Sequence, residues 1–364
     1  MAIKTKLNLK RKVITMKKTL LLTTALIGTL SILGTAQAEI KIGGHVKTAW
    51  KSMDGLATVD KKNSGFSQER QLDFSSEGTL NNGLKYKAGF SLEQDAGETG
   101  FDGAETNYVN ITTGNTTIQL GADSAPLNGD FNIVPRAGNA MNEEIGYGST
   151  MVGANFNSNL KYAQDLTLNK APMALTVLQK FDGNHQVALT FAPRSDDKLA
   201  GTSGTNDTAV STASGKSVRS ATYYGSPIAN LNVFAEYQTQ VKNGSETRDA
   251  KVQGIGFAYS MGSVKFGAEK VNYDLATGAS TDTMEYGVVF KLSDNATAGI
   301  GRTVTEGKNT SGAAEAAKEK INYLQVGYNL GAIGTQLSYI DAENLGYSAT
   351  QDAKAVVLKI NTKF

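Results

Sequence analysis

The sequence predicts an all-β chain that closes into a transmembrane antiparallel β-barrel of sixteen strands. Three observations carry this. Apolar and polar residues alternate with period two along most of the chain, tight turns alternate with long polar stretches, and a short secretory leader precedes them.

The leader comes first. Residues 16–38 open on Met16-Lys17-Lys18, run through an apolar stretch from Leu20 to Leu33, and end on Ala36-Gln37-Ala38. A basic start, a short apolar centre and a small-x-small exit make a signal peptide, and the stretch is too short for a membrane anchor. Residues 1–38 are set apart as leader, with cleavage expected after Ala38 and with Met1 and Met16 both open as the start. The mature barrel is then 39–364. Seven of the 36 basic residues and none of the 34 acidic ones lie in the leader, so the mature chain carries 29 against 34, a net charge of −5. A nucleic-acid partner loses its electrostatic support.

Composition excludes other classes. The 364 residues include 39 glycines, 5 prolines and no cysteine, and the mean hydropathy is −0.27. The mature chain has no run of twenty apolar residues, which argues against helical spans, and the missing cysteine excludes a disulfide scaffold and thiol chemistry. The two histidines, His45 and His185, are far apart, and neither has a serine elbow nearby. No metal, cofactor or catalytic activity is expected. Gly254-x-Gly256 precedes Phe257 on an alternating strand and reads as close packing rather than phosphate binding.

The strands follow from the alternation. Ile40, Ile42, Val46 and Trp50 form one face near the start; Leu84, Tyr86, Ala88, Phe90 and Leu92 form the next clear one. Ile255, Phe257, Tyr259 and Met261 repeat the pattern, as do Met284, Tyr286, Val288, Phe290 and Leu292, and finally Val356, Leu358, Ile360, Thr362 and Phe364. Short turns fall at 81–83, 113–115, 227–230, 261–263, 293–295 and 331–334, and longer polar stretches at 53–66, 95–103, 195–217, 242–249, 274–281, 307–319 and 343–351. A sheet this long leaves exposed edges unless it closes, and opposite faces rich in glycine, lysine and glutamate suit a wet interior better than a sandwich core.

Counting gives the strand number. Five strands fall near 39–52, 67–80, 84–95, 103–112 and 115–124, and nine between 218 and 364. The middle has to add two for both termini to lie on the same side. Val187, Leu189 and Phe191 mark one; 160–165 and 173–181 compete for the other.

This layout resembles the Gram-negative general porins, particularly the alphaproteobacterial type. The residues that carry the resemblance are Glu39-Ile40-Lys41-Ile42-Gly43-Gly44, Leu72-Asp73-Phe74 with Glu77-Gly78 and the Asn82-Gly83-Leu84 turn, Gly121-Ala122-Asp123-Ser124, and the terminal Phe364 on an alternating strand. The resemblance implies a homotrimer in the bacterial outer membrane with the third loop folded into each lumen. It also implies that Phe364 serves as a signal to the barrel assembly machinery.

The segment 124–157 is too long and too apolar for a solvated tip. In porins the corresponding loop narrows the pore, and its carboxylates face basic side chains on the wall. The candidates here are Asp123, Asp130, Glu143 and Glu144 on the loop side. Parity supplies the wall: with Ile42, Val46 and Trp50 facing lipid, His45, Lys47 and Lys51 face inward, as do Lys85 and Lys87 and, further on, Arg194. A register error of one residue would invert every one of these. Arg70 shares parity with Leu72 and Phe74 and is expected to point outward, where the family pattern has an inward arginine.

The expected function is passive diffusion of small hydrophilic solutes and ions, filtered by size and charge at a loop-formed eyelet. The loop carboxylates and the net charge predict a weak cation preference. The partners expected are outer-membrane lipid and lipopolysaccharide, the assembly machinery and two further copies of the chain. A substrate-specific channel and a secreted β-rich adhesin or surface protein are the rival readings.

Overall fold

The computed structural model describes residues 39–55, 62–94, 107–122, 133–137, 174–192, 217–241, 248–349 and 352–364. The strands are β1 (Glu39–Asp54), β2 (Lys62–Thr79), β3 (Lys85–Gln94), β4 (Asn107–Thr113), β5 (Thr116–Ala122), β6 (Ala174–Phe181), β7 (His185–Ala192) and β8 (Val218–Ile228). They continue as β9 (Leu231–Gln240), β10 (Ala250–Met261), β11 (Val264–Asp274), β12 (Ser280–Lys291), β13 (Ala296–Lys308), β14 (Glu319–Leu330), β15 (Ile333–Glu343) and β16 (Ala353–Lys363). Each pairs antiparallel with its neighbours in sequence, and β1 pairs with β16, so the sixteen strands form one closed barrel. No helix among the described residues is long and apolar enough to cross a membrane.

The competition in the middle is decided for the later segment: Ala174–Phe181 is β6, bridged to β7 by the 3₁₀ turn Asp182–Asn184. The other contender, 160–165, lies outside the described residues, as does the leader. One expectation needs correction. The polar stretch 53–66 was expected to be a loop, yet β1 and β2 keep their register up to the pair Asp54↔Lys62. Polarity there marks a hairpin that rises above the apolar zone; a strand in water needs no apolar face.

Side chains sort by parity into two unlike faces. The outward face holds the large exposed apolar residues, among them Ile255 at 64%, Ile300 at 54% and Leu324 at 51% exposure. On β14 the outward residues Leu330, Tyr328, Val326 and Leu324 give way to Asn322 and Lys320. Four alternate residues span about 20 Å of strand, close to the height of an outer-membrane apolar band. In register with Asn322, a polar row runs outward across Arg302, Asp341, Lys354 and Asp54 on β13, β15, β16 and β1. The inward face instead buries polar groups, including Gln238, Gln325, Gln336, Thr176 and Thr305.

Candidate pore lining and constriction

Most of the long connection from β5 to β6 lies outside the described residues, but Ile133–Ala137 is placed, and it lies inside the barrel. Ile133, Val134 and Ala137 are buried. The strands beneath are glycines at the points of contact. A Cβ on Gly256 would meet Ile133, one on Gly267 would meet Pro135, one on Gly287 would meet Val134 and Pro135, and one on Gly299 would meet Ala137. These four glycines belong to β10, β11, β12 and β13 in turn, and they make a shallow groove that the segment fills. Gly256 is thus a close-packing glycine, with the loop rather than a strand as its chief neighbour.

Arg136 fixes this segment in place. Its Nε and Nη2 donate to Glu285 Oε1 on β12 at 3.1 and 2.6 Å. Tyr323 on β14 donates its hydroxyl to the same oxygen at 2.8 Å. To reach it, the phenol crosses β13 at Gly301, where any side chain would collide with the ring. Arg136 also sits 5.6 Å from the Tyr323 ring centroid, within cation–π range. Glu269 on β11 stands directly opposite Glu285 in the register and is equally buried.

A second cluster lies on β16, β1 and β2, separated from β13 by β14 and β15. His45, Lys47 and Lys51 point to the same inward face as Ala49 and Met53. Glu69 of β2 bonds His45 and forms an ion pair with Lys47 at 2.5 Å. Lys359 of β16 faces inward beside them, 1% exposed and in register with Ala49. Lys85 and Lys87 share the inward face of β3 but sit near its tight-turn end, where they are exposed. Lys87 lies over the Tyr108 ring. Arg70 points outward and is held by Gln68. Asp123, Asp130, Glu143, Glu144 and Arg194 all lie outside the described residues.

Phe364 closes the barrel seam. Its backbone exchanges hydrogen bonds with Gly44, at 3.0 and 3.1 Å, and its ring covers Gly44 while leaving the residue 65% exposed.

Sequence reasoning passed over Lys359, although the outward Leu358 and Ile360 imply its inward direction. It also assigned Arg136 no role, and nothing in the local sequence pairs Arg136 with Glu285, 149 residues away.

The family model of the Gram-negative porins matches residues 23–356. The chain belongs to the Gram-negative porin family. It is accordingly an outer-membrane diffusion channel of a Gram-negative bacterium. Among solved structures, an anion-selective porin from Comamonas acidovorans is similar over 90% of this chain and 100% of its own, with a TM-score of 0.65 and 13% identity. A triple mutant of the Rhodopseudomonas blastica porin covers the same shares with a TM-score of 0.57 and 12% identity. At such identities the likeness speaks to the barrel alone. No curated protein sequence matches the porin.

Proposed function

We propose that the porin passes small hydrophilic solutes and ions passively and selects them by size and charge at a constriction. The observation that carries this reading is the packing of Ile133–Ala137 against the inner wall, which brings the third loop into the lumen. One side of the constriction is this loop, with Asp123, Asp130, Glu143 and Glu144 as its acidic residues. The other is the basic wall of His45, Lys47, Lys51 and Lys359, with Lys85, Lys87 and Arg194 as further cations along the path. Charges fixed in a narrow wet lumen bias ion traffic by sign. The loop carboxylates and the net charge of −5 favour weak cation preference, whereas the lysine wall alone would favour anions, the preference named for the Comamonas porin.

The triple variant K47Q/K51Q/K359Q tests the wall. Its reversal potential in a salt gradient across a planar bilayer is expected to move toward that of a cation-selective pore. An unchanged potential would remove these lysines from the ion path. Conductance steps arriving in threes would support the homotrimer.

The remaining partners follow the same logic. Residues 1–38 serve as the secretory leader. The outward polar row from Arg302 to Asp54 meets lipid and lipopolysaccharide headgroups above the apolar band. The exposed ring and free carboxylate of Phe364 present the last strand to the assembly machinery. F364S is expected to lower the yield of heat-modifiable barrel in the membrane fraction several-fold; an undiminished yield would leave Phe364 as a seam residue only.

A further inference from the structure

The inner faces of β10 to β13 carry two buried carboxylates, Glu269 and Glu285, directly opposite each other in the register. Like charges at facing positions destabilise a sheet. The inward-facing residues of these four strands offer no cation between the tight-turn end, where Lys265 and Lys291 sit, and the loop end. The missing charge comes from the loop. Arg136 bonds Glu285 with two nitrogens, at the position directly across from Glu269. Beneath the segment lie glycines and small residues, and Ile133 joins an apolar cluster with Phe234, Val252 and Val271 of the wall. Apolar packing is non-directional, so it leaves the segment able to shift once the ion pair is gone.

We propose that Arg136 is a positioning residue, an ionic latch that holds the inward loop on β12 and thereby keeps the pore at one steady cross-section. Tyr323 is the back-stop: it occupies the near side of Glu285 Oε1 and keeps the carboxylate turned toward the loop. The latch joins a loop side chain to β12 and is no part of the strand ladder, so its loss loosens Ile133–Ala137 without dismantling the barrel. The effect on current rests on the constriction reading above; the latching itself does not.

The two can be separated with a thiol staple. The chain has no cysteine, and a Cβ on Gly299 would lie 3.4 Å from the Ala137 Cβ, close to disulfide spacing. Because that new Cβ would also crowd a Val289 methyl at 2.9 Å, the staple variant is A137C/G299C with V289A. In the full-length porin, oxidative cross-linking of this pair is expected to slow about tenfold or more when R136A is added. E285Q, which keeps its shape and can still accept from Tyr323, is expected to slow it in the same direction, and R136K less than R136A. Cross-linking at an undiminished rate in both R136A and E285Q would overturn the latch.

Bilayer recordings give the second readout. Unstapled R136A is expected to flicker between current levels and to close at lower voltage. The stapled form is expected to return to a steady level and to lose it again on reduction. Flicker that persists in the stapled channel would overturn the latch's control of the current, because the noise would then arise elsewhere. Slowed cross-linking with unaltered currents would uphold the latch and remove the loop as the constriction.

Discussion

Val326→Arg is expected to cost the barrel about 2–4 kcal/mol, the penalty of a cation on the lipid face at mid-membrane depth. Val326 lies on the outward face of β14, half exposed, within the apolar row from Leu330 to Leu324 and with Ala298 and Leu337 as in-register neighbours. Neither neighbour can pair a guanidinium, and hydrocarbon cannot hydrate it. A Lys320→Arg change, three outward steps toward the loops, should cost nothing measurable, since the site already holds a cation paired with Glu343 at 3.1 Å. Urea unfolding midpoints in lipid vesicles, read by heat-modifiable migration, would show the contrast. Equal midpoints for V326R and wild type would mean that this face does not meet lipid.

Gly287→Leu is expected to displace the inward loop while leaving the barrel assembled. A Cβ at this position already stands 3.0 Å from Pro135 O and from a Val134 methyl, and 3.2 Å from the Tyr323 hydroxyl. The further carbons of leucine have no space on the inner face. Overpacking of this kind costs about 1–3 kcal/mol when the surroundings cannot yield. Here the loop yields first, because the hydrogen bonds of β12 to its neighbours do not involve the side chain. The segment moves toward the lumen axis, and single-channel conductance should fall. Gly287→Ala asks its neighbours to give only a few tenths of an ångström and should conduct nearly as wild type. Wild-type conductance in G287L would place the ion path away from this segment.

The barrel was largely legible because half of every membrane strand must be apolar, and that demand writes period two into the chain. Ile255 to Met261 and Met284 to Leu292 showed their outward faces plainly. The parity that turned Ile40 and Ile42 outward also turned Lys47 and Lys51 inward. Legibility ended where that demand ended. Above the apolar zone, 62–66 reads as loop yet pairs as strand, since water imposes no alternation there. The loop contacts were hidden for another reason. Gly256, Gly267, Gly287 and Gly299 each read as a glycine of its own strand, and only the closed ring aligns them into a groove. The Arg136–Glu285 pair and the Tyr323 bond are likewise products of closure. Lys359 was legible as well, because its inward direction follows from the outward Leu358 and Ile360.

The seam between β1 and β16 sets the order of events in the life of the chain. His45 pairs with Lys363, a partner 318 positions later. Hairpins such as β10 with β11 can form from neighbours, but this last ladder has to await the final residues and then bring together the two most distant parts of the polymer. Pairing over such separations is slow. Until it is made, β1 and β16 each expose a complete row of unpaired backbone donors and acceptors, an invitation to intermolecular association. A chain cut short by even one strand would keep two such rows permanently. The dwell time of the unclosed sheet, rather than the strength of any contact in the finished one, therefore governs how much of this protein survives to conduct.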